Sequence, residues 1–336
     1  MSLYKAESRR LVKRRFTKLF SLSAVLILLL VAAAMFLSNE KVGPEQIASA
    51  KAEAQQQFQQ SLASAEQEKK NCEAAQGTAA AGNYPSNCAD MYQPTAEDYN
   101  PDWFMPATFE FVDEFPNMVT TLAAILAVVA FVIGASFVGA EWASGGMMNL
   151  LLWRPQRVRV LGTKLAALLV GLTALTVVLA AIWTGLFLLI GNLRGNTDGL
   201  TSGAWQSIGL MELRALGLVL VAGALGFGLA SIGRHTAMAL GAAIGVIVVF
   251  QFGLGTVLFM ANVKFAEAYL APTWVTAWMA KEYKVEDFNS CDFNSVSGCQ
   301  PDSLTVTWPM AGGLLAAVFV LVTAASLWTI RSRDIT

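Results

Sequence analysis

The sequence predicts an all-α polytopic membrane protein with six transmembrane helices and two extracytoplasmic inserts. Hydrophobic residues make up 55% of the chain and charged residues only 14%, which excludes an ordinary soluble domain. Six apolar segments approach or exceed the length of about twenty residues that a spanning helix needs. The charges along the chain are segregated, and basic residues that flank the spans orient them by the positive-inside rule.

The first 38 residues are predicted to form a basic cytoplasmic arm and the first span. Seven lysines and arginines between Lys5 and Lys18 precede the apolar run 19–37. A basic flank of this kind keeps its end of the span in the cytoplasm. It is also compatible with binding to lipid head groups. A cleaved signal peptide is the alternative, since the alanines at 32–34 resemble a cleavage region, but the apolar run is longer than a usual signal core.

Residues 39–116 are predicted to form the first extracytoplasmic insert. They contain thirteen acidic residues against four lysines. Residues 44–75 are rich in Ala, Gln and Glu with Pro44 at the start, so we expect a helix that prolongs the first span outside the membrane. Residues 77–106 combine turn residues with many aromatic residues, which favours an ordered loop over the alternative of a disordered spacer.

The remaining spans follow in order. Residues 117–263 hold spans two to five and a cytoplasmic loop at 139–164, residues 264–306 form the second extracytoplasmic insert, and residues 307–336 form the sixth span and a cytoplasmic tail. Arg234 between spans four and five and Arg331 after span six agree with a cytoplasmic position. Both termini are therefore predicted to be cytoplasmic, in a plasma membrane of the bacterial type.

The four cysteines are confined to the two inserts, Cys72 and Cys88 in the first and Cys291 and Cys299 in the second. Even pairs on the outer face indicate disulfides in an oxidising space. Of three connectivities, adjacent pairing within each insert is the simplest. Zinc binding is the alternative, but neither pair has CxxC spacing and the only histidine, His235, is predicted on the opposite face.

Glycines are frequent in spans four and five. Gly241 and Gly245 form a GxxxG pair in the fifth span, and the fourth span is crowded with further glycines. Glycine allows close packing of membrane helices, and we expect internal packing at all of these positions rather than a dimer face. The glycines of the fourth span are Gly217, Gly223, Gly226 and Gly228.

Several chemistries have no signature in the sequence. There is no GxxxxGK[ST] phosphate loop, and no catalytic or metal-binding constellation stands out, so the chain is not expected to be an enzyme. The interiors of the spans hold no Asp, Glu, Lys or Arg, and Gln251 is the most polar deep residue. Secondary transporters usually place ionisable groups near the midplane, so that class is disfavoured.

The loop 139–164 combines an acidic start at Glu141, a flexible pair at Gly145 and Gly146, the leucines 150–152 and a basic end. This pattern is typical of a short amphipathic helix along the membrane surface. An ordinary positive-inside loop without a partner is the alternative.

The same residues resemble the intracellular loop of the second class of ABC exporter permeases. The resemblance rests on Glu141, Gly145, the leucine run, Pro155–x–Arg157 and a lysine that enters the next span, Lys164. Residues 225–241, LGFGLASIGRHTAMALG, resemble the family's turn between spans four and five. Gly146 stands where the family often has threonine.

The resemblance implies a permease subunit that exports a hydrophobic or amphipathic substrate. Two permease copies, identical or not, would each sit on a separate ATP-binding cassette ATPase that holds ATP and Mg²⁺, and membrane lipids would be further partners, with no cofactor on this chain and no nucleic acid. A membrane-anchored binding or assembly protein that uses its inserts is the alternative. The residues implied in coupling to the ATPase are Glu141, Gly145, Met147, Leu150, Leu151, Trp153, Arg154, Pro155, Arg157 and Lys164.

The predicted topology is tested by labelling single cysteines with a reagent that cannot cross membranes. We expect cysteines introduced at Ala63 and Ser297 to react in intact cells, because both inserts are predicted to be outside, and one at Ser8 to react only after permeabilisation. If only the cysteine at position 8 were labelled in intact cells, the predicted topology would be inverted.

Overall fold

The structure, a computed structural model, describes residues 3–153, 156–287, 290 and 301–332. Within that part of the chain, six helices are long and apolar enough to cross a membrane. They confirm the predicted polytopic helical fold. A short basic helix, α1 (Leu3–Lys13), precedes them. The six spans are α2 (Arg15–Ser38), α4 (Phe111–Ala143), α6 (Arg157–Arg194), α7 (Ser202–Gly233), the continuous stretch Thr236–Met260 and α11 (Trp308–Ser332).

The fifth span is composite. It consists of α8 (Thr236–Val246), a π-helical stretch Ile247–Leu254 and α9 (Gly255–Met260). The other elements lie between spans. They are α3 (Pro44–Ala75), α5 (Gly146–Trp153) and α10 (Ala271–Ala280), the strands β1 (Phe109–Glu110), β2 (Gly195–Asn196), β3 (Glu282–Asp287) and β4 (Asp302–Thr307), and short 3₁₀ helices at Ala79–Asn83, Cys88–Asp90, Ala96–Asp98, Pro101–Phe104 and Ala266–Tyr269.

The chain divides into two compact units. The first comprises Met1–Ala32, Val112–Phe187 and Gly199–Thr336, and therefore holds most of the span residues. The second comprises Ala33–Phe111 and Leu188–Asp198, that is, α3 with the segments around it.

In the first unit, α4 and α7 pack with their backbones in contact. A Cβ atom at Gly226 would overlap the carbonyl oxygen of Phe131, and one at Gly134 would overlap the carbonyl oxygen of Gly223. On the other side of α7, a Cβ at Gly228 would overlap Val322 of α11. The predicted role of the fourth-span glycines in internal packing is confirmed at these positions.

The same prediction is wrong for the GxxxG pair of the fifth span. A Cβ at Gly241 or Gly245 would meet nothing within 4 Å. The α8 part of the composite span contacts α7, and most of the large apolar side chains of this span are exposed. These two glycines face open space because no described helix covers this span.

The described part of the second polar insert is built around α10. Strands β3 and β4 form an antiparallel hairpin in register from Glu282 opposite Thr307 to Asp287 opposite Asp302. The hairpin, α10 and the first turn of α11 share a small core of Ala277, Val306 and Ala311, covered by Trp274, Trp278 and Tyr283.

The second unit is built on α3, and its start differs from the prediction. Residues 39–43 are not helical, so α3 does not prolong α2. Gly43 is extended (φ −117°, ψ 179°) because the residue before a proline is disfavoured in the helical region. A parallel pair of β1 and β2, with Phe109 opposite Gly195, closes the unit.

A disulfide joins Cys72 of α3 to Cys88 across a loop of 16 residues. It confirms the predicted pairing in the first insert. The predicted pair Cys291–Cys299 lies outside the described residues. The aromatic loop is also held to α3, where Phe58 contacts Tyr99 with ring centroids 5.8 Å apart.

The contact between α4 and α7 predicts a strong effect of Gly226→Ala. The added methyl group cannot fit without separating two backbones, so we expect a loss of about 1–3 kcal/mol in stability. The measurement is thermal unfolding of the purified protein in detergent. Gly241→Ala is the control, because its methyl group enters open space. Equal melting temperatures for the two variants would contradict the close contact of α4 with α7.

Candidate functional site

The loop between the second and third spans contains the helix α5. Gly145 separates α4 from α5 with φ +72°, a conformation that glycine adopts without strain. Its N–H donates to the carbonyl of Trp142 at 3.1 Å and closes the turn. The predicted helix in this loop is therefore present, and a sharp glycine turn precedes it.

One face of α5 is buried within the chain and its end is exposed. Met147 and Leu151 lie four residues apart on one face and are 0% and 6% exposed. Leu152 and Trp153 are 81% and 87% exposed. Met147 and Leu151, both among the residues that the resemblance implies in coupling to the ATPase, are therefore directed inward. Leu150 is half-buried.

Beside α5, a buried lysine holds two carboxylates. The Nζ atom of Lys164 lies 2.5 Å from Oε2 of Glu7 and 2.6 Å from Oε2 of Glu141. Both Lys164 and Glu7 are 0% exposed. Arg14 extends this group, since its Nη2 lies 3.2 Å from Oε1 of Glu141 and its Nη1 donates to the carbonyl of Ser136 at 2.6 Å.

We call Glu7, Arg14, Glu141 and Lys164 the ionic cluster. Its members come from α1, from the junction of α1 with α2, from the end of α4 and from the second turn of α6. The ring of Phe137 lies under both cations, 5.3 Å from Lys164 Nζ and 5.3 Å from Arg14 Cζ. The cluster therefore ties four helices together at the end of the first unit that carries α5.

The ionic cluster holds two carboxylates and two cations, and the half-exposed Arg10 adds a further cation 3.2 Å from Oε1 of Glu7. Burial lowers the pKa of the Arg14 guanidinium from its ordinary value, while the carboxylates of Glu141 and Glu7 act in the opposite direction. An arginine remains charged despite such a change. A buried charge without its partner is costly, so the four side chains depend on one another.

The turn between spans four and five lies at the same end of this unit. Arg234 caps α7 in the left-handed conformation, and its guanidinium lies 5.1 Å from the centre of the Trp142 ring. A Cβ at Gly139 would come within 2.5 Å of the backbone nitrogen of Thr236. The two sequence patches that resemble ABC exporter permeases are thus in direct contact.

A basic group completes this end. Arg157, Arg159 and Arg331 line one shallow cavity with Gln156 and Val158. Arg157 begins α6, whereas Arg154 and Pro155 lie outside the described residues. In the part of the chain that the structure describes, no group of three or more His, Cys, Asp or Glu side chains is arranged to hold a metal ion.

Two members of the ionic cluster were missed by the sequence reasoning. Arg14 was counted only as one of many basic residues in the arm. Glu7 carried a usable signal, because it is the only acidic residue in the first eighteen. A single carboxylate in a basic arm is more typical of a residue that pairs with a specific cation than of a residue on a solvated surface.

The ionic cluster predicts that Lys164→Met destabilises the protein by about 3–5 kcal/mol, because it removes the buried cation shared by Glu7 and Glu141 and leaves Glu7 only the half-exposed Arg10. Thermal unfolding in detergent measures the loss. Lys13→Met removes an exposed lysine of α1 and is the control.

Glu7→Gln in the Lys164→Met background should recover part of that stability, because Glu141 retains Arg14 and no charge is left alone. Additive losses in the double variant would show that the two side chains do not act as a pair.

Comparison with known proteins agrees with this arrangement. The profile of a family described as ABC-2 family transporter protein matches residues 1–331. No curated protein and no solved structure matches the chain. The match covers nearly the whole chain, including both patches at the α5 end. The chain therefore belongs to the ABC-2 family of transporter proteins and is a multi-pass membrane permease subunit of an ABC transporter.

Proposed function

We propose that this permease exports a hydrophobic or amphipathic substrate and is driven by a separate ATPase that docks on α5. The observation that carries this proposal is the exposed pair Leu152 and Trp153 at the end of a helix whose other face is buried. Exposed apolar side chains of this size at one point mark a contact with a partner.

The ATPase is a separate chain in this proposal because the sequence contains no phosphate loop. ATP and Mg²⁺ would be held by that partner. The basic group of Arg157, Arg159 and Arg331 beside α5 suits acidic side chains of the ATPase or lipid phosphates.

The ionic cluster supports a mechanism for coupling. The ATPase would push α5 when it closes on ATP. Because Glu141 precedes α5 and Lys164 follows it, and the two form an ion pair, α4 and α6 would move together rather than separately. Glu7 adds α1 to the same body. The nucleotide would then bias the spans between two arrangements.

The proposed orientation places α5 and both termini in the cytoplasm and the second unit outside. Basic residues around α1 and α5 support it, as does the Cys72–Cys88 disulfide, since such bonds persist in oxidising compartments. A second permease copy, identical or not, would complete the transporter. The uncovered fifth span offers it a surface, although lipid can cover the same face.

The second candidate is a role of this permease in membrane-anchored binding or assembly through its second unit. The observation that favours it is the size of the second unit, with Tyr92 and Trp103 exposed on its aromatic loop. The two functions differ in one observable: only the transporter requires an ATPase bound at α5.

The docking proposal predicts that Trp153→Asp weakens ATPase binding at least tenfold. The change removes an apolar anchor and places a carboxylate against an apolar groove. The measurement is the amount of ATPase that co-purifies with the permease from its native membrane, together with substrate-stimulated ATP hydrolysis.

Trp103→Asp is the matched control, because it makes the same change at an exposed tryptophan of the second unit. The transporter proposal expects full ATPase binding for this control. Loss of binding in Trp103→Asp with full binding in Trp153→Asp would favour the assembly role instead.

A further inference from the structure

A cavity lies at the end of the first unit opposite α5. Its walls are the first turns of α4 around Pro116, the first half of α7 around Ser207 and Met211, and α10 around Thr276. Its volume is about 350 Å³, within the range of small-molecule sites. Nothing in the proposed coupling at α5 uses it.

Both charged side chains that line this cavity are cations. They are Arg214 of α7 and Lys281, which follows α10. Neither makes an ion pair with a described residue. Glu212, the nearest acidic residue to Arg214 on α7, instead accepts a hydrogen bond from Thr184 of α6 at 2.6 Å. The cavity therefore has an uncompensated positive charge.

Arg214 is held in place by a single side-chain hydrogen bond to the described part of the chain. Its Nη1 donates to the carbonyl of Met279 at 2.7 Å, and its own carbonyl accepts from Nε1 of Trp278 at 2.8 Å. A guanidinium has five N–H donors arranged to match a carboxylate or a phosphate. The hydrogen bond to Met279 fixes the guanidinium and leaves other N–H donors for a ligand.

Lys281 is fixed at its backbone. Its carbonyl accepts from the N–H of Trp308 at 2.7 Å, and its φ of +76° is rare for a residue with a side chain. Glycine is the residue that adopts this conformation without strain. Here the position is occupied by a lysine, which lines the cavity. Its flexible ammonium group reaches an anion as a second point charge.

The rest of the cavity is largely apolar. Ile208, Met211 and Met279 line it together with Pro116 and Ala280, and the polar remainder is neutral hydroxyl and amide groups. Methionine side chains adapt to irregular apolar ligands. A small inorganic anion alone would leave this surface without a partner.

We propose that this cavity binds an anionic amphiphile, with a phosphate or carboxylate head on Arg214 and Lys281 and an apolar chain along Ile208, Met211 and Met279. Such a molecule can come from the surrounding membrane as an anionic lipid, or from the water phase as a single-chain amphiphile. The site does not depend on ATPase docking, and its test needs only the permease chain.

The test is binding of dodecyl phosphate to the purified full chain in a neutral detergent. We expect dodecyl phosphate to bind at least about tenfold more tightly than dodecanol or inorganic phosphate, because each of these lacks one half of the interaction. Arg214→Gln and Lys281→Gln should each weaken binding, the first by about tenfold or more. Lys284→Gln removes an exposed lysine of β3 outside the cavity and should change nothing.

Ser207→Phe is a second variant that leaves Arg214 unchanged. Its ring fills the cavity, while the hydrogen bond from Arg214 to Met279 stays in place. We expect this variant to abolish binding. Unchanged binding in both Ser207→Phe and Arg214→Gln would overturn the site. So would equal binding of dodecyltrimethylammonium, or binding of inorganic phosphate as tight as that of dodecyl phosphate.

The source of the ligand is separated by competition in nanodiscs. Competition by phosphatidylglycerol but not by phosphatidylcholine assigns the site to an anionic membrane lipid. Retained dodecyl phosphate binding with no competition from either lipid assigns it to a single-chain amphiphile from the water phase.

Discussion

The buried contact of Lys164 with Glu7 and Glu141 is the interaction on which this end of the protein depends. An ammonium group without exposure needs partners, and both carboxylates come from other helices. Glu141 and Lys164 flank α5 in the chain, so their ion pair closes the loop at its base. Whatever pushes α5 therefore acts on α4 and α6 as one body, with α1 attached through Glu7.

Close backbone packing also joins α4 to α7 and α7 to α11. Gly134, Gly223 and Gly226 bring α4 and α7 together without intervening side chains, and Gly228 does the same between α7 and α11. We infer that a displacement at one end of α4 would reach its other end, where the walls of the cationic cavity begin. The fifth span lacks such packing in the described chain, which leaves it free to meet lipid or a second subunit.

The sequence predicted the spans, α3 and the first disulfide because each has a local cause: apolar length, helix-forming composition and confined cysteines. It failed where the cause is a contact between distant residues. Nothing local decides that the face of α5 with Met147 and Leu151 turns inward, pairs Glu7 with Lys164 across 157 positions, or leaves Gly241 uncovered while Gly226 is covered. The break before Pro44 was predictable from the proline itself, but helical composition on both sides concealed it.

The proposed function depends on the exposed end of α5 as the surface on which an ATPase sits. The most direct measurement places a photoreactive phenylalanine analogue at Trp153 and, separately, at Leu151, and identifies what each captures in native membranes. We expect position 153 to cross-link to an ATPase. Position 151 should form cross-links only within the permease itself. Capture of lipid alone from position 153, with no ATPase, would contradict the proposed function.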